Sequence, residues 1–432
     1  MQNAETAPKL GAVMSVCLVI GTMVGGGIFF LPSALAPLGW NVVIGWLICG
    51  AGAISLALSL RYLMDGTGKG AQHNIERVLG EIPGFLSIWA YWAAGPTSIA
   101  ALCIAGGGIV ASFGLIELGA YAGSIIAIAL IWLLVAINLG GARSAGRFQV
   151  VTVAIKLIPL LLTAGVFMWV GLSAAPLKPI APTPINLGNI SDAVALTLFA
   201  LLGFEVAVLT VNRIRNPARN VPLALIGGVV AVTGLYLVAS AGLMSIYEWE
   251  AVAASSSPFS DALSANLGPI MGGLVAFCIF VSVTGCSNSL ILIGAECTYS
   301  MAFRKEVPQV FLRANRFGAY HYGILIQGIA ATVLVLSTMS RGLAGMFAFL
   351  ALLTTGAILV LYIFGTLAAI LENKRAKRWP VLGVASVFAL FATYGAGLEP
   401  VLWVFVLLAI GLVVRWLCKR SDVGDTAAAP AV

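Results

Sequence analysis

Two ionisable side chains lie in stretches of this sequence that offer them little water. Lys156 sits within Val151-Thr152-Val153-Ala154-Ile155-Lys156-Leu157-Ile158-Pro159, nine residues past Arg147 and so roughly 13 Å along a helix. Glu205 lies eight residues before Arg213, about 12 Å deep by the same rise. Buried charge is expensive in an apolar run and usually marks a pathway or a site. A desolvated amine suits a group that gains and loses a proton; the bland alternative is a strut packed on backbone carbonyls. Glu205 could serve as gate, proton site or cation contact, or could pair with a nearby base. Glu296 reads most simply as a partner for Arg304 or for a neighbouring loop cation.

A third feature is backbone rather than side chain. Gly21, Gly25, Gly26 and Gly27 fall within seven residues of one apolar run, Gly11 to Ala36. Each glycine weakens a helix by about 1 kcal/mol relative to alanine. Such a segment is expected to unwind, which at membrane depth requires that it be buried in protein or line a watery cavity. Unwound backbone offers N–H groups to an anion and carbonyls to a cation. The rival reading is close helix packing through small residues. The chemistry available is therefore recognition of a charged or zwitterionic solute, not bond cleavage.

What is missing narrows the class further. Only two histidines occur, His73 and His321, both in predicted loops. No apolar run carries a metal-spaced pair of His, Asp or Glu, so no metal or other cofactor is expected. Gly66-Thr67-Gly68-Lys69-Gly70 lacks the spacing and preceding strand of a phosphate-binding loop. No Ser-His or paired-Asp constellation lies at depth, so an enzyme is not expected. The seven cysteines are scattered and odd in number, which argues against a disulfide framework.

The elements that must carry these groups follow from composition. The chain has 432 residues, 60% hydrophobic and 9% charged, far below the charge of an ordinary soluble domain. The pattern predicts an all-α polytopic membrane protein. At about 20 apolar residues per crossing, twelve spans are expected: 11–36, 40–61, 83–110, 119–139, 148–172, 190–212, 222–247, 269–297, 322–339, 343–371, 379–396 and 399–417. Gly95-Pro96 is expected to interrupt the third. No cleavable leader is expected.

Of the 23 lysines and arginines, all but Lys156, Lys178 and Arg341 fall on one side of that alternation. The bias places both termini in the cytoplasm. It also accounts for the net charge of +7 without a nucleic-acid partner.

Span 6 is the second unusual run. Ala195-Leu196-Thr197-Leu198-Phe199-Ala200-Leu201-Leu202-Gly203-Phe204-Glu205 sets a glycine close to a carboxylate, suggesting a second break. Two broken helices, five spans apart and opposite in direction, fit two five-span units of inverted topology. The expected organisation is a cytoplasmic N-terminus over 1–10, a first repeat over 11–172, a second over 190–371, spans 11 and 12 over 379–417, and a disordered cytoplasmic tail over 418–432.

These motifs together resemble the amino acid–polyamine–organocation (APC) superfamily over about the first 370 residues. The carriers are Gly21-Thr22-Met23-Val24-Gly25-Gly26-Gly27-Ile28-Phe29-Phe30-Leu31-Pro32, the stretch Phe199 to Glu205, and the exit loop Arg215-Asn216-Pro217-Ala218-Arg219-Asn220-Val221-Pro222. Within it the chain looks most like bacterial amino acid permeases that include arginine/agmatine antiporters. The resemblance implies a five-plus-five inverted repeat with discontinuous helices 1 and 6, in a bacterial inner membrane. It implies that a substrate carboxylate meets the N–H groups of Gly25, Gly26 and Gly27, at the positive end of the following half-helix. It implies carbonyls of Met23, Phe199 and Leu202 for the amino group, and Phe199 as an occluding aromatic. Lys156 matches members whose lysine occupies the place of a sodium ion, implying proton coupling or sodium-independent exchange. The implied partners are an amino acid or amine, protons, membrane lipid and a second copy of the chain as a homodimer.

The departures bear on the substrate. Tryptophans found in arginine antiporters are replaced here by Phe199 and by the small, polar Gly285-Cys286-Ser287-Asn288-Ser289. Arginine and a neutral amino acid both remain open. A channel or a non-transporting sensor are the rivals outside the carrier class.

Overall fold

The computed structural model describes residues 11–65, 70–113, 119–140, 155–172, 177–205 and 214–427. Within them every regular element is helical. In chain order these are α1 (Ala12–Met23), α2 (Leu31–Leu35), α3 (Asn41–Leu63), α4 (Ala71–Leu79), α5 (Glu81–Ser112), α6 (Ala122–Leu139), α7 (Leu157–Leu172) and α8 (Leu187–Leu201). There follow α9 (Pro217–Ile246), α10 (Trp249–Ala254), α11 (Pro258–Leu267), α12 (Pro269–Phe303), α13 (His321–Thr338), α14 (Gly342–Glu372), α15 (Trp379–Gly395) and α16 (Leu398–Ala427).

Among the described residues, seven helical stretches are long and apolar enough to cross a bilayer: Asn41–Leu63, Glu81–Ser112, Ala122–Leu139, Arg219–Ile246, Pro269–Phe303, His321–Glu372 and Leu398–Arg420. The sixth joins α13 to α14 through a 3-10 turn at Met339–Arg341. Shorter apolar helices cover Ala12–Met23, Ile158–Trp169 and Leu187–Leu201. The chain is a multi-pass membrane protein.

Helix α5 is the axis of the bundle. It packs against α6, α12, α13 and α14. Of its most apolar window 89% is buried, against 11% for α16, which lies at the periphery. Contrary to the expected interruption, α5 runs unbroken through Pro96. Proline removes one N–H and strains one turn, and here the surrounding helices hold that turn in place. Trp89 ties α16 to this axis by donating its indole N–H to the Leu407 carbonyl at 2.8 Å.

Three further differences from the sequence reading have simple causes. The link between α9 and α12 folds into α10 and α11, whose six and ten residues are too short and polar to register as spans. α10 seats against α2, where Ser33 Oγ donates to the Ser255 carbonyl at 2.8 Å, and α11 packs on α12. Arg304 pairs with Glu76 and with Glu306, not with Glu296, which is exposed. A pairing within one helix end was the local guess; the α4 segment brings a nearer carboxylate from a distant part of the chain. Finally, α16 continues through Arg420 to Ala427, where a disordered tail was expected from 418. The expected start of span 5 at 148–154, the end of span 6 at 206–212, the N-terminal ten residues and the 66–69 glycine turn lie outside the described residues.

Candidate functional site

The first apolar run is not one helix. α1 ends at Met23, and Val24 leaves helical geometry with ψ 89°. Its N–H still closes on the Ile20 carbonyl at 2.9 Å. Gly25 and Gly26 follow in irregular backbone, then a 3-10 turn over Gly27–Phe29, then the short α2. Among the described residues, the Gly26 and Gly27 N–H groups meet no backbone acceptor. The half-helix expected after the break is a 3-10 turn, the five-residue α2 and a second 3-10 turn at Ala36–Leu38, each running into the next.

Neighbouring helices hold the break open. Tyr236 of α9, packed on Trp46 of α3 at 5.5 Å, donates its hydroxyl to the Met23 carbonyl at 3.0 Å. A side chain at Gly26 would meet Leu102 and Val283, and one at Gly27 would meet Phe199. The two readings of the glycine cluster are therefore both realised: the chain breaks, and the break packs tightly.

The second unusual run ends in the same place. α8 stops at Leu201, and turns occupy 202–205. Gly203 has φ +109°, and a Cβ there would lie 2.8 Å from the Thr22 carbonyl oxygen. Only glycine tolerates that conformation without strain. Thr22 Oγ1 donates to the Gly203 carbonyl at 3.1 Å, so a side chain of α1 ties the end of the first helix to the turn after α8. Gly203→Ala adds positive-φ strain to a backbone clash, together about 2–5 kcal/mol. A clear drop in melting temperature in detergent, with loss of uptake, is expected; an unchanged melt with full uptake contradicts this packing.

The two buried charges brace these segments. Lys156, 1% exposed, donates its ammonium to the Gly21 carbonyl at 3.0 Å. That carbonyl belongs to the last turn of α1, whose acceptors the helix cannot satisfy. Glu205 is likewise buried. Its Oε2 accepts from the Gly203 N–H and from the Tyr362 hydroxyl, each at 3.0 Å, and Tyr362 stacks on Phe204. The carboxylate thereby locks the turn at the end of α8.

All eight residues singled out from the sequence line one cavity of ≈ 640 Å³: Met23, Gly25, Gly26, Gly27, Lys156, Phe199, Leu202 and Glu205. Its remaining wall comes from α5, including Tyr91, Trp92 and Ser98, and from α12, including Cys286, Ser289 and Cys297. The cavity runs along α12 toward the end that carries Arg304 and Lys305. At its other end Phe199 meets Phe347 at 5.9 Å, and Phe347 meets Phe30 at 5.7 Å. Beyond these rings lies a void of only ≈ 20 Å³, about the size of one water.

Among the described residues, no three His, Cys, Asp or Glu side chains stand together as metal ligands would. The carbonyls expected to face an amino group are partly engaged: Met23 by Tyr236, and Phe199 by the Leu202 N–H at 3.4 Å. Each retains a second lone pair. Sequence reasoning missed Tyr236, which braces the first break from a distant helix with no local signal. Gly203 was legible from its closeness to Glu205, but not its conformation.

A family model described as "Amino acid permease" matches residues 10–421. The chain is 26% identical to the putrescine transporter of Escherichia coli, over 93% of this chain and 94% of that one. It is 27% identical to a putative arginine/ornithine antiporter of Bacillus subtilis, over 83% of each chain. It is 28% identical to the serine/threonine exchanger of Bacillus subtilis, over 85% of this chain and 84% of that one.

Proposed function

The chain belongs to the amino acid permease family, and from that premise we propose that it carries an amino acid, or exchanges one for an amine, by alternating access. The observation that supports this most is the single ≈ 640 Å³ cavity in which the break after Met23, the turn after Leu201, Lys156 and Glu205 all meet. It is large enough for an amino acid and sits where two interrupted segments touch.

The substrate carboxylate takes the N–H groups at Gly25, Gly26 and Gly27. The amino group takes the free lone pairs of the Met23, Phe199 and Leu202 carbonyls. Phe199, Phe347 and Phe30 close the outer path, so this conformation faces inward. That orientation rests on the basic loops beside the open end, which place both termini in the cytoplasm of a bacterial inner membrane. In this reading the short apolar helices complete twelve crossings, arranged as a five-plus-five inverted repeat with helices 1 and 6 discontinuous. Lys156 carries the coupling proton: its ammonium holds the last turn of α1, and its release frees that turn to move.

Relatives that handle amines and a relative that exchanges serine and threonine leave the cargo a choice between cationic and neutral amino acids. Counterflow in proteoliposomes tests the transport class. Internal unlabelled substrate should stimulate uptake of labelled amino acid, because a carrier returns faster when loaded. Unsaturable, unstimulated flux would indicate a channel, and binding without flux would indicate a sensor.

A further inference from the structure

One face of α12 leads from the break after Met23 along the large cavity. Its lining residues are Cys286, Ser289, Leu290, Ile293 and Cys297, spaced three or four apart as one helix face requires. The face begins at the break itself, because a Cβ at Gly25 would stand 2.9 Å from the Cys286 Sγ. Leu290 follows about 6 Å further along the helix and Ile293 about 10 Å. Leu102 of α5 also stands at the break, 2.8 Å from a Cβ at Gly26, and Ile358 of α14 lines the same cavity. A substrate held at the break by its carboxylate therefore has its side chain beside aliphatic groups.

The polar side chains that line this cavity are turned to other partners. Trp92 donates its indole N–H to Thr298 at 2.7 Å, and Ser98 donates its hydroxyl to Thr354 at 3.5 Å. Ser289 donates to the Gly285 carbonyl of its own helix at 3.3 Å. Thr22 bonds to the Val19 and Gly203 carbonyls, and Tyr91 lies in the field of Glu205. The thiols of Cys286 and Cys297 are weak hydrogen-bonding groups.

The charges tell the same story. Among the described residues that line the cavity, Lys156 and Glu205 carry the charge, one ammonium and one carboxylate. Lys156 holds the Gly21 carbonyl, and Glu205 holds the Gly203 N–H and the Tyr362 hydroxyl. A zwitterion leaves that balance intact. A charged side chain would add an unpaired charge out of water, which is strongly unfavourable. Drawing Glu205 toward a cationic one would undo the turn after α8.

We propose that the transported amino acid is neutral and carries an apolar side chain, which packs on Leu102, Leu290, Ile293 and Ile358. This rests on the carrier reading above and names its substrate class.

The test measures binding of L-alanine, L-2-aminobutyrate, L-norvaline and L-norleucine to the purified full-length protein, with L-serine and L-lysine as polar counterparts. Affinity should rise about 4-fold with each added methylene. Lysine, which matches norleucine in length but ends in an ammonium, should bind about 10-fold or more weaker than norleucine. Serine should bind weaker than 2-aminobutyrate. In Leu290→Ser the rise along the series should flatten. A flat series in the wild type would overturn the proposal whatever the variant does. So would lysine binding tighter than norleucine, or serine tighter than 2-aminobutyrate, and either result would leave the carrier reading standing. Binding of none of the six, with no counterflow, would overturn the proposal together with that reading.

Discussion

Lys156→Ala will lose proton-dependent uptake. The ammonium is buried and donates to the Gly21 carbonyl at 3.0 Å. A hydrogen bond to a charged group contributes about 1.5–3 kcal/mol, so its removal is expected to reduce uptake by about 10- to 100-fold. The same deletion strands the Gly21 carbonyl, so a modest fall in melting temperature should accompany it. What separates coupling from bracing is the pH profile. In the wild type, uptake should respond to an imposed pH gradient. In Lys156→Ala the residual uptake should be flat across that gradient. A variant that keeps the wild-type proton dependence at reduced rate would leave Lys156 only a brace.

Gly26→Val will cost the site its shape. A side chain here does more than fill the space over the N–H groups. A Cβ would stand 2.8 Å from both the Leu102 and Val283 side chains, and 3.2 Å from the Val283 Cα. The side chains can rotate away, but the backbone of α12 cannot without moving the helix. Overpacking of this kind costs about 1–3 kcal/mol, and it pushes the break away from α5 and α12 together. Substrate affinity should fall by about 10-fold or more, with a measurable loss of stability. Gly26→Ala should lie between the two. Binding by thermal shift in detergent reads both effects; wild-type affinity in Gly26→Val would show that the break takes no part in the site.

The elements with chemistry written into them were the legible ones. A cluster of glycines in an apolar run has few outcomes in a membrane, and α1 stops within that cluster at Met23. Lys156 and Glu205 stood out because charge is rare at depth, and both line the cavity. The illegible parts depend on partners that arrive from far away in the chain. Pro96 was read as a break, yet a proline weakens only its own turn, and four packed helices outweigh it. Glu296 was paired with Arg304 because they are close in sequence, whereas α4 brings Glu76 to the same arginine. Tyr236 carries no local signal at all: it is one of several polar residues in an apolar helix, and only the packing of α9 against α1 gives it a role.

The central claim is that bare peptide groups from two interrupted segments hold the substrate. The most direct measurement is a density map of the purified protein with a bound amino acid, chosen by thermal-shift screening against the twenty amino acids and their decarboxylated amines. The account predicts ligand density in the ≈ 640 Å³ cavity, its carboxylate within hydrogen-bond distance of the Gly26 and Gly27 N–H groups and its ammonium beside the Leu202 carbonyl. A ligand bound elsewhere, or one whose carboxylate turns away from the break to pair with Lys156, would contradict it.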